Sequence, residues 1–435
     1  MKKYIYILVM SLAVGLLSGC EDTDDVFGKS PEERIQEAIT TFEQVLLSPE
    51  YGWEMRYFST ENSAGYPLLV KFYKDSKVVV AGQNRFTNNS YKESESYYDV
   101  IDGNGALLTF ETYNEVLHAF SNPVDPNGKG QEGDYEFYCD PTMTTDNQVV
   151  LIGKKRGLSI VMTKLDKKYS DWSVYFNELA AINKVTFEGN AGAAFHLKVA
   201  GAGPYLTYNE YQFFQGNTAM GFILTPSGLH LYEGYERNGQ LAVNFQLDNA
   251  EAPTKFVCTD EGVTASIEPR YTPLASYQMD SKTNAIWTID YKTMGASSTT
   301  AFNALQDALK ATDATIKEVD LLYVQSVSKN ALRFRYRIAD GTELEALIYY
   351  NLTYTPSKNP ETVTFTYNDA NENGLGFLKR AGAGDVEAGK ALVNAVFAKT
   401  YKVECASGGL LNPSYLKFIA TDDKDCNFTI HKKNF

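Results

Sequence analysis

The stretch Asp369-Ala370-Asn371-Glu372-Asn373-Gly374 places oxygen-bearing side chains at alternate positions and ends on glycine. Asp369, Asn371, Asn373 and Gly374 match positions one, three, five and six of a calcium loop, in which a hard cation gathers oxygen ligands around a sharp turn. Position twelve is Arg380 instead of a bidentate glutamate, and a strand pattern, not a helical one, precedes the loop. Calcium is the cofactor this spacing suggests. A polar turn after "TVTFTY" is the competing reading.

Motifs for covalent chemistry are scarce. The chain holds no G-x-S-x-G, no H-E-x-x-H and no Walker loop. Its four histidines, His118, His196, His230 and His431, share no spacing that would gather them at one site. Gly382-x-Gly384 resembles the start of a phosphate loop, but Glu387 stands where the third glycine belongs. That segment reads as the approach to a helix capped by Asp385. Paired carboxylates of the glycosidase kind need a geometry that spacing does not reveal.

Tyrosine is the abundant candidate, at 30 residues beside 24 Phe and 3 Trp. Tyr97 with Tyr98, Tyr211 beside Phe213 and Phe214, and Tyr232 with Tyr235 are the clusters suited to stacking a sugar or a peptide. Aromatics also favour strands and their cores. Adjacent pairs nonetheless direct one ring to each face of a sheet, so some rings must point outward.

The elements that would carry these residues are mostly strands. Ser30-Pro31-Glu32-Glu33 opens a helix with a serine cap, a first-turn proline and a capping-box glutamate. Ile35, Ile39, Phe42 and Leu46 continue it at helical spacing. From Tyr51 the period becomes two, with hairpins turning at Lys74–Ser76 and Asp102–Gly105 and further strands to about Leu165. A helix from Asp171 to Asn183, capped by Ser170, separates this series from a second one over 194–267. The last third mixes strands with helices expected at 301–311 and 385–399.

Gly103-x-Gly105-x-x-Leu108-Thr109-Phe110 and Gly201-x-Gly203-x-x-Leu206-Thr207-Tyr208 match over eight positions, which reads as shared hairpin chemistry. The expected fold is mainly β (α+β), with antiparallel barrel-like or sandwich-like domains and a few packed helices. The domain reading is 1–19 a leader, 20–29 an acidic tether, 30–168 a helix plus antiparallel β domain, and 169–435 a second β-rich region divisible near 290–300.

The start of the chain supplies an address. Lys2 and Lys3, an apolar stretch from Tyr4 to Leu17 and small residues before Cys20 have the order of a secretory signal. The stretch is short for a membrane span. Leu17-Ser18-Gly19-Cys20 resembles a bacterial lipobox, which implies lipid attachment at Cys20; several acyl chains anchor a protein stably where one does not. Glu21, Asp22, Asp24 and Asp25 follow at once, as a solvated tether and by resemblance a surface-export signal of Bacteroides-type lipoproteins.

Removal of the leader leaves 38 basic against 54 acidic residues, a net −16. That balance excludes nucleic acid and polyanions as natural partners. Cys139, Cys258, Cys405 and Cys426 allow three disulfide connectivities, with Cys405–Cys426 the favoured pair if any forms.

"DVFGKSPEERI" (25–35), "YGWEMRYF" (51–58), "LTFETYNEVLHAFSNP" (108–123) and "GDYEFY" (133–138) together resemble surface lipoproteins of the domain of unknown function 4302 family. The resemblance is close over the first 170 residues and looser beyond. It implies no catalytic residue. It implies an accessory component beside an outer-membrane importer. The expectation is a non-catalytic protein facing the cell exterior that captures a glycan or peptide nutrient. A hydrolase acting on such material, or an adhesive surface protein, are the alternatives.

Overall fold

In a computed structural model the described residues are 29–122, 131–248, 254–279, 286–355 and 361–433. Cys20, Glu21, Asp22, Asp24 and Asp25 lie outside them. Helix α1 (Pro31–Leu47) has the expected capping box: Ser30 accepts from the Glu33 amide, and Glu33 reaches back to the Ser30 amide. Ile39, Phe42 and Leu46 are its buried face.

Eight strands follow: β1 (Trp53–Phe58), β2 (Gly65–Phe72), β3 (Lys77–Gly82), β4 (Lys92–Asp102), β5 (Ala106–Phe110), β6 (Glu136–Cys139), β7 (Gln148–Gly153) and β8 (Ser159–Lys164). Each pairs antiparallel with the next, and β1 closes on β8 with Trp53 opposite Lys164 and Met55 opposite Met162. The barrel interior is filled. Trp53, Tyr57, Phe110, Phe120 and Phe137 are fully buried there. Eight strands give an interior just wide enough for side chains to close it. Helix α1 rests on this barrel, and the Trp53 indole donates to the Leu46 carbonyl at 2.9 Å.

Helix α2 (Trp172–Thr186) is capped by Asp171, whose carboxylate accepts from the Ser173 amide; the expected Ser170 cap is displaced by one residue. A second closed barrel comprises β9 (Ala194–Val199), β10 (Tyr205–Asn209), β11 (Gln212–Gln215), β12 (Thr218–Thr225), β13 (Gly228–Arg237), β14 (Gln240–Leu247), β15 (Phe256–Cys258) and β16 (Ala265–Pro269). Phe187, Phe195, Phe213, Phe222 and Phe256 fill it.

The third barrel comprises β17 (Ile286–Ile289), β18 (Thr315–Val324), β19 (Lys329–Arg337), β20 (Glu343–Thr355), β21 (Thr362–Ala370), β22 (Thr400–Gly409), β23 (Asn412–Ala420) and β24 (Asn427–Lys432). Helices α3 (Ala296–Lys310), α4 (Glu372–Ala381) and α5 (Val386–Phe397) pack on it, with Phe377 and Phe397 in its core. Asp385 caps α5 as expected. Helix α3 starts five residues ahead of expectation, behind Gly295.

The barrel, not the sandwich, is therefore the architecture, three times over. The two glycine-rich octets occupy different places in it: one spans the β4–β5 turn, the other the β9–β10 turn. The left-handed residues are Asn104 and Gly105 in one turn and Ala200 and Gly201 in the other, so the octets neither share a turn nor mark the repeat. All four described cysteines are free. Cys405 lies opposite Leu416 on β23, whereas Cys426 follows that strand's far end, where its carbonyl accepts from Ala420. Four residues of strand, roughly 13 Å, keep the favoured pair apart. Among the described residues no helix is long and apolar enough to cross a membrane.

Candidate functional site

The first two barrels meet along β2 and β12. Gly65 lets Phe58 and Ile223 approach, because a Cβ there would stand 2.6 Å from the Phe58 ring and 2.7 Å from Ile223. Tyr232 seals one side of this seam: its ring lies 4.9 Å from Phe58 and its hydroxyl accepts from the Ser159 amide at 3.2 Å. The Gln212 side-chain amide donates across to the Asn62 carbonyl, and Arg85 approaches Glu210 at 3.3 Å.

Within the seam is a cavity of about 160 Å³. The first barrel contributes Gly65, Tyr66 and Pro67 from β2, and Gln83, Asn84 and Asn89 from the segment after β3. Helix α2 contributes Phe176, Leu179, Ala180 and Asn183, spaced i, i+3, i+4 and i+7 so that one face is presented. Tyr211 and Leu224 come from the second barrel.

No lining residue carries a charge. Four carboxamides and two tyrosines supply the polar atoms. Asn84 is 8% exposed; its side-chain oxygen caps a short 3-10 turn by accepting from Phe86 at 2.9 Å, while its amide nitrogen is buried without a partner among the described residues. A buried donor left unpaired costs on the order of 1–3 kcal/mol, and this nitrogen lies on the first barrel's side, where a Cβ on Gly82 would stand 3.4 Å from it beside Val116 and Leu68. Burial pushes the Tyr66 hydroxyl up to about 12, the nearby Arg85 opposing and Glu210 and Tyr211 adding to the rise, so it stays a neutral donor. The walls also hold non-glycine residues at positive φ: Asn88 and Asn89 on one side, Glu210 and Tyr211 on the other. At Glu210 and Tyr211 this backbone carries a steric cost that asparagine largely escapes.

Of the tyrosines singled out by sequence, only Tyr211 lines the cavity. Tyr232 is committed to the seam, and Tyr235 is half-buried against the second barrel's core. Tyr97 is 46% exposed on β4, while its neighbour Tyr98 is 5% exposed and donates to the Tyr73 carbonyl. The pair thus divides between the two faces, and the five rings form no common platform. Tyr66 and the amides of Gln83, Asn84 and Asn89 have no signal in the clustering of aromatics. The usable signal was the amide-rich run Gln83–Ser90.

The calcium reading fails for a local reason. Asn371 is the N-cap of α4: its side-chain oxygen accepts from Gly374 at 2.7 Å and from Leu347 at 3.1 Å. Residues 372–381 wind into a helix, so Asn373 cannot converge with its neighbours, and Asp369 faces Lys329 at 3.8 Å. Among the described residues no three His, Cys, Asp or Glu side chains gather as a metal site. The histidines are also separate. His118, His196 and His431 each stack on a tyrosine, Tyr135, Tyr205 and Tyr415 respectively. His230 bonds Asn244 at 2.8 Å, and burial holds it below the usual imidazole range.

Among curated proteins and among solved structures, none matches the chain. A family model described as "Domain of unknown function (DUF4302)" matches residues 23–249. That segment is just over half of the 435 residues and contains every residue that lines the cavity. The chain belongs to this family.

Proposed function

We propose that the protein is a non-catalytic capture protein for a neutral sugar, held at the outer membrane by a lipid on Cys20 and acting beside a nutrient importer. The observation that carries this reading is the seam cavity, uncharged, ringed by carboxamides and bounded by tyrosine and phenylalanine rings. Carboxamides donate and accept in one plane, which suits adjacent hydroxyls, and an aromatic face suits the C–H side of a sugar. An ionic ligand would find no counter-charge there. The filled barrels support a site between barrels in place of one inside them. The acidic residues 21–25 serve in this reading as tether and export signal.

A single hexose of twelve non-hydrogen atoms, at about −0.3 kcal/mol per atom, binds with roughly millimolar Kd. The test is calorimetric titration of the purified protein with neutral hexoses, repeated with Tyr211→Ala and Asn183→Ala. Saturable binding weakened at least fivefold in both variants is expected; heats equal to dilution for every hexose sink the reading. The address is tested separately, since Cys20→Ala should release the protein from membranes or leave its leader uncut.

A further inference from the structure

The cavity has a neighbour between the first barrel and the start of helix α2. A groove of about 640 Å³ is bordered by Glu50, Lys71, Tyr73, Glu93, Asp171 and Trp172. The two openings lie along the same two elements, with Leu69 and Ala81, both fully buried, between them. Strand β2 gives Gly65–Pro67 to the cavity and Lys71 to the groove, with Tyr73 just beyond its end. Helix α2 gives Phe176–Asn183 to the cavity, and its first residue Trp172 with the Asp171 cap to the groove. Tyr91 joins them, its ring 5.6 Å from Phe176 and its hydroxyl bonded to Glu93. From Trp172 to Asn183 the helix rises about 17 Å.

We infer that cavity and groove are two subsites, bridged across the exposed Tyr91 ring, that together take a linear, uncharged oligosaccharide. This rests on the sugar reading of the cavity and extends it to chain length and charge. Tyr73 and Tyr91 are 40% and 38% exposed, and Trp172 is half-buried, so rings recur along the path where successive sugars would stack. Glu50, Glu93 and Asp171 accept hydroxyls and repel uronates and sulfated sugars. Lys71 is already engaged, donating to the Glu50 carbonyl at 2.8 Å and lying 5.5 Å over the Tyr73 ring. It therefore offers little to an anion.

The test titrates the purified protein with neutral gluco-, manno- and galacto-oligosaccharides of one to six units and with oligogalacturonates. Affinity should rise at least tenfold between one and four units for the preferred sugar, and uronates should bind at least tenfold more weakly. Tyr73→Ala, which keeps the backbone carbonyl that Tyr98 uses, should abolish the gain with length while leaving monosaccharide binding intact. Glu93→Gln serves as a second variant and should narrow the gap between neutral and uronate chains. Equal affinity for one and six units overturns the paired subsites and leaves the cavity reading standing. No binding at any length, or binding of short peptides alone, overturns both.

Discussion

Asn190 accepts the backbone amide of Leu411 through its side-chain oxygen at 2.8 Å, a buried bond between residues that belong to the second and third barrels. The same side chain donates to the Thr186 carbonyl at 2.8 Å, so the end of α2 and the β22–β23 turn are fixed to one group. Gly409 makes the approach feasible, because a Cβ there would stand 1.9 Å from the Asn190 oxygen. Asn190→Ala leaves the Leu411 amide unpaired and should cost about 1–3 kcal/mol in urea unfolding. Sugar affinity should be unchanged, since Asn190 does not line the cavity. A coupled loss of affinity would show that the third barrel holds the site in place.

The seam between the first two barrels should be less forgiving. A Cβ on Gly221 would meet the Ser63 carbonyl at 2.2 Å, and backbone cannot swing aside as a side chain can. Gly221→Ala should destabilise by about 1–3 kcal/mol and weaken sugar binding together, read by thermal melting and titration. Retained affinity with lowered stability would place the cavity's integrity elsewhere.

Much of this framework was legible in the sequence. Helix α1 announced itself through Ser30, Pro31 and Glu33, and the Lys74–Ser76 and Asp102–Gly105 turns fixed two hairpins, because capping and turn chemistry are local. Closure was not legible. Whether β1 meets β8 depends on Trp53 finding Lys164, a pairing that no local pattern encodes, so barrel and sandwich read alike. Helix α4 was hidden because Asn371 serves equally as a helix cap and as a cation ligand in one dimension. The cavity was the least visible part. It draws on β2, the turn after β3, α2 and the β10–β11 turn, and only Tyr211 among its residues stood in an aromatic cluster.

Glu361 should give the protein a measurable pH signature. It is 3% exposed, accepts from the Tyr271 hydroxyl and the Ala275 amide, and burial raises its carboxyl above the usual range. A raised native pKa means that the folded state holds the proton longer than the unfolded one. Its contribution to stability is therefore complete below the ordinary carboxylate range and falls as pH climbs through it. Glu361→Gln should gain on the wild type as pH rises above about 4.5 in paired thermal melts. Parallel curves from pH 4 to 7 would exclude this role.

The described thiols should be slow. Burial raises Cys139, Cys258 and Cys405 above the usual thiol range, and Cys426 is buried with Ser298 donating to its sulfur. Less thiolate means less nucleophile. At pH 8 a chromogenic disulfide should modify these four over hours in the native protein and within minutes in denaturant. Electrophoretic mobility should not change on reduction. A shift on reduction would reveal a bridge where free thiols stand.

The β10–β11 turn should separate stability from binding. Asn209 pairs with Gln212, so Glu210 and Tyr211 are the two central residues, and both have positive φ, at 44° and 62°. A two-residue hairpin with that backbone favours Asn-Gly, and a side chain such as tyrosine pays a steric cost there of roughly 1 kcal/mol. The turn nonetheless holds the Tyr211 ring at the cavity wall and Glu210 beside Arg85. The exposed ion pair contributes little, since such pairs are worth about 0–1 kcal/mol. Replacing Glu210-Tyr211 with Asn-Gly should therefore relieve about 1–2 kcal/mol of backbone strain against the loss of a half-buried ring packed on both barrel cores, leaving urea unfolding within about 1 kcal/mol of the wild type. It should also remove the wall of the sugar site and abolish binding. A double variant that keeps its stability and is fully able to bind would show that Tyr211 has no part in recognition.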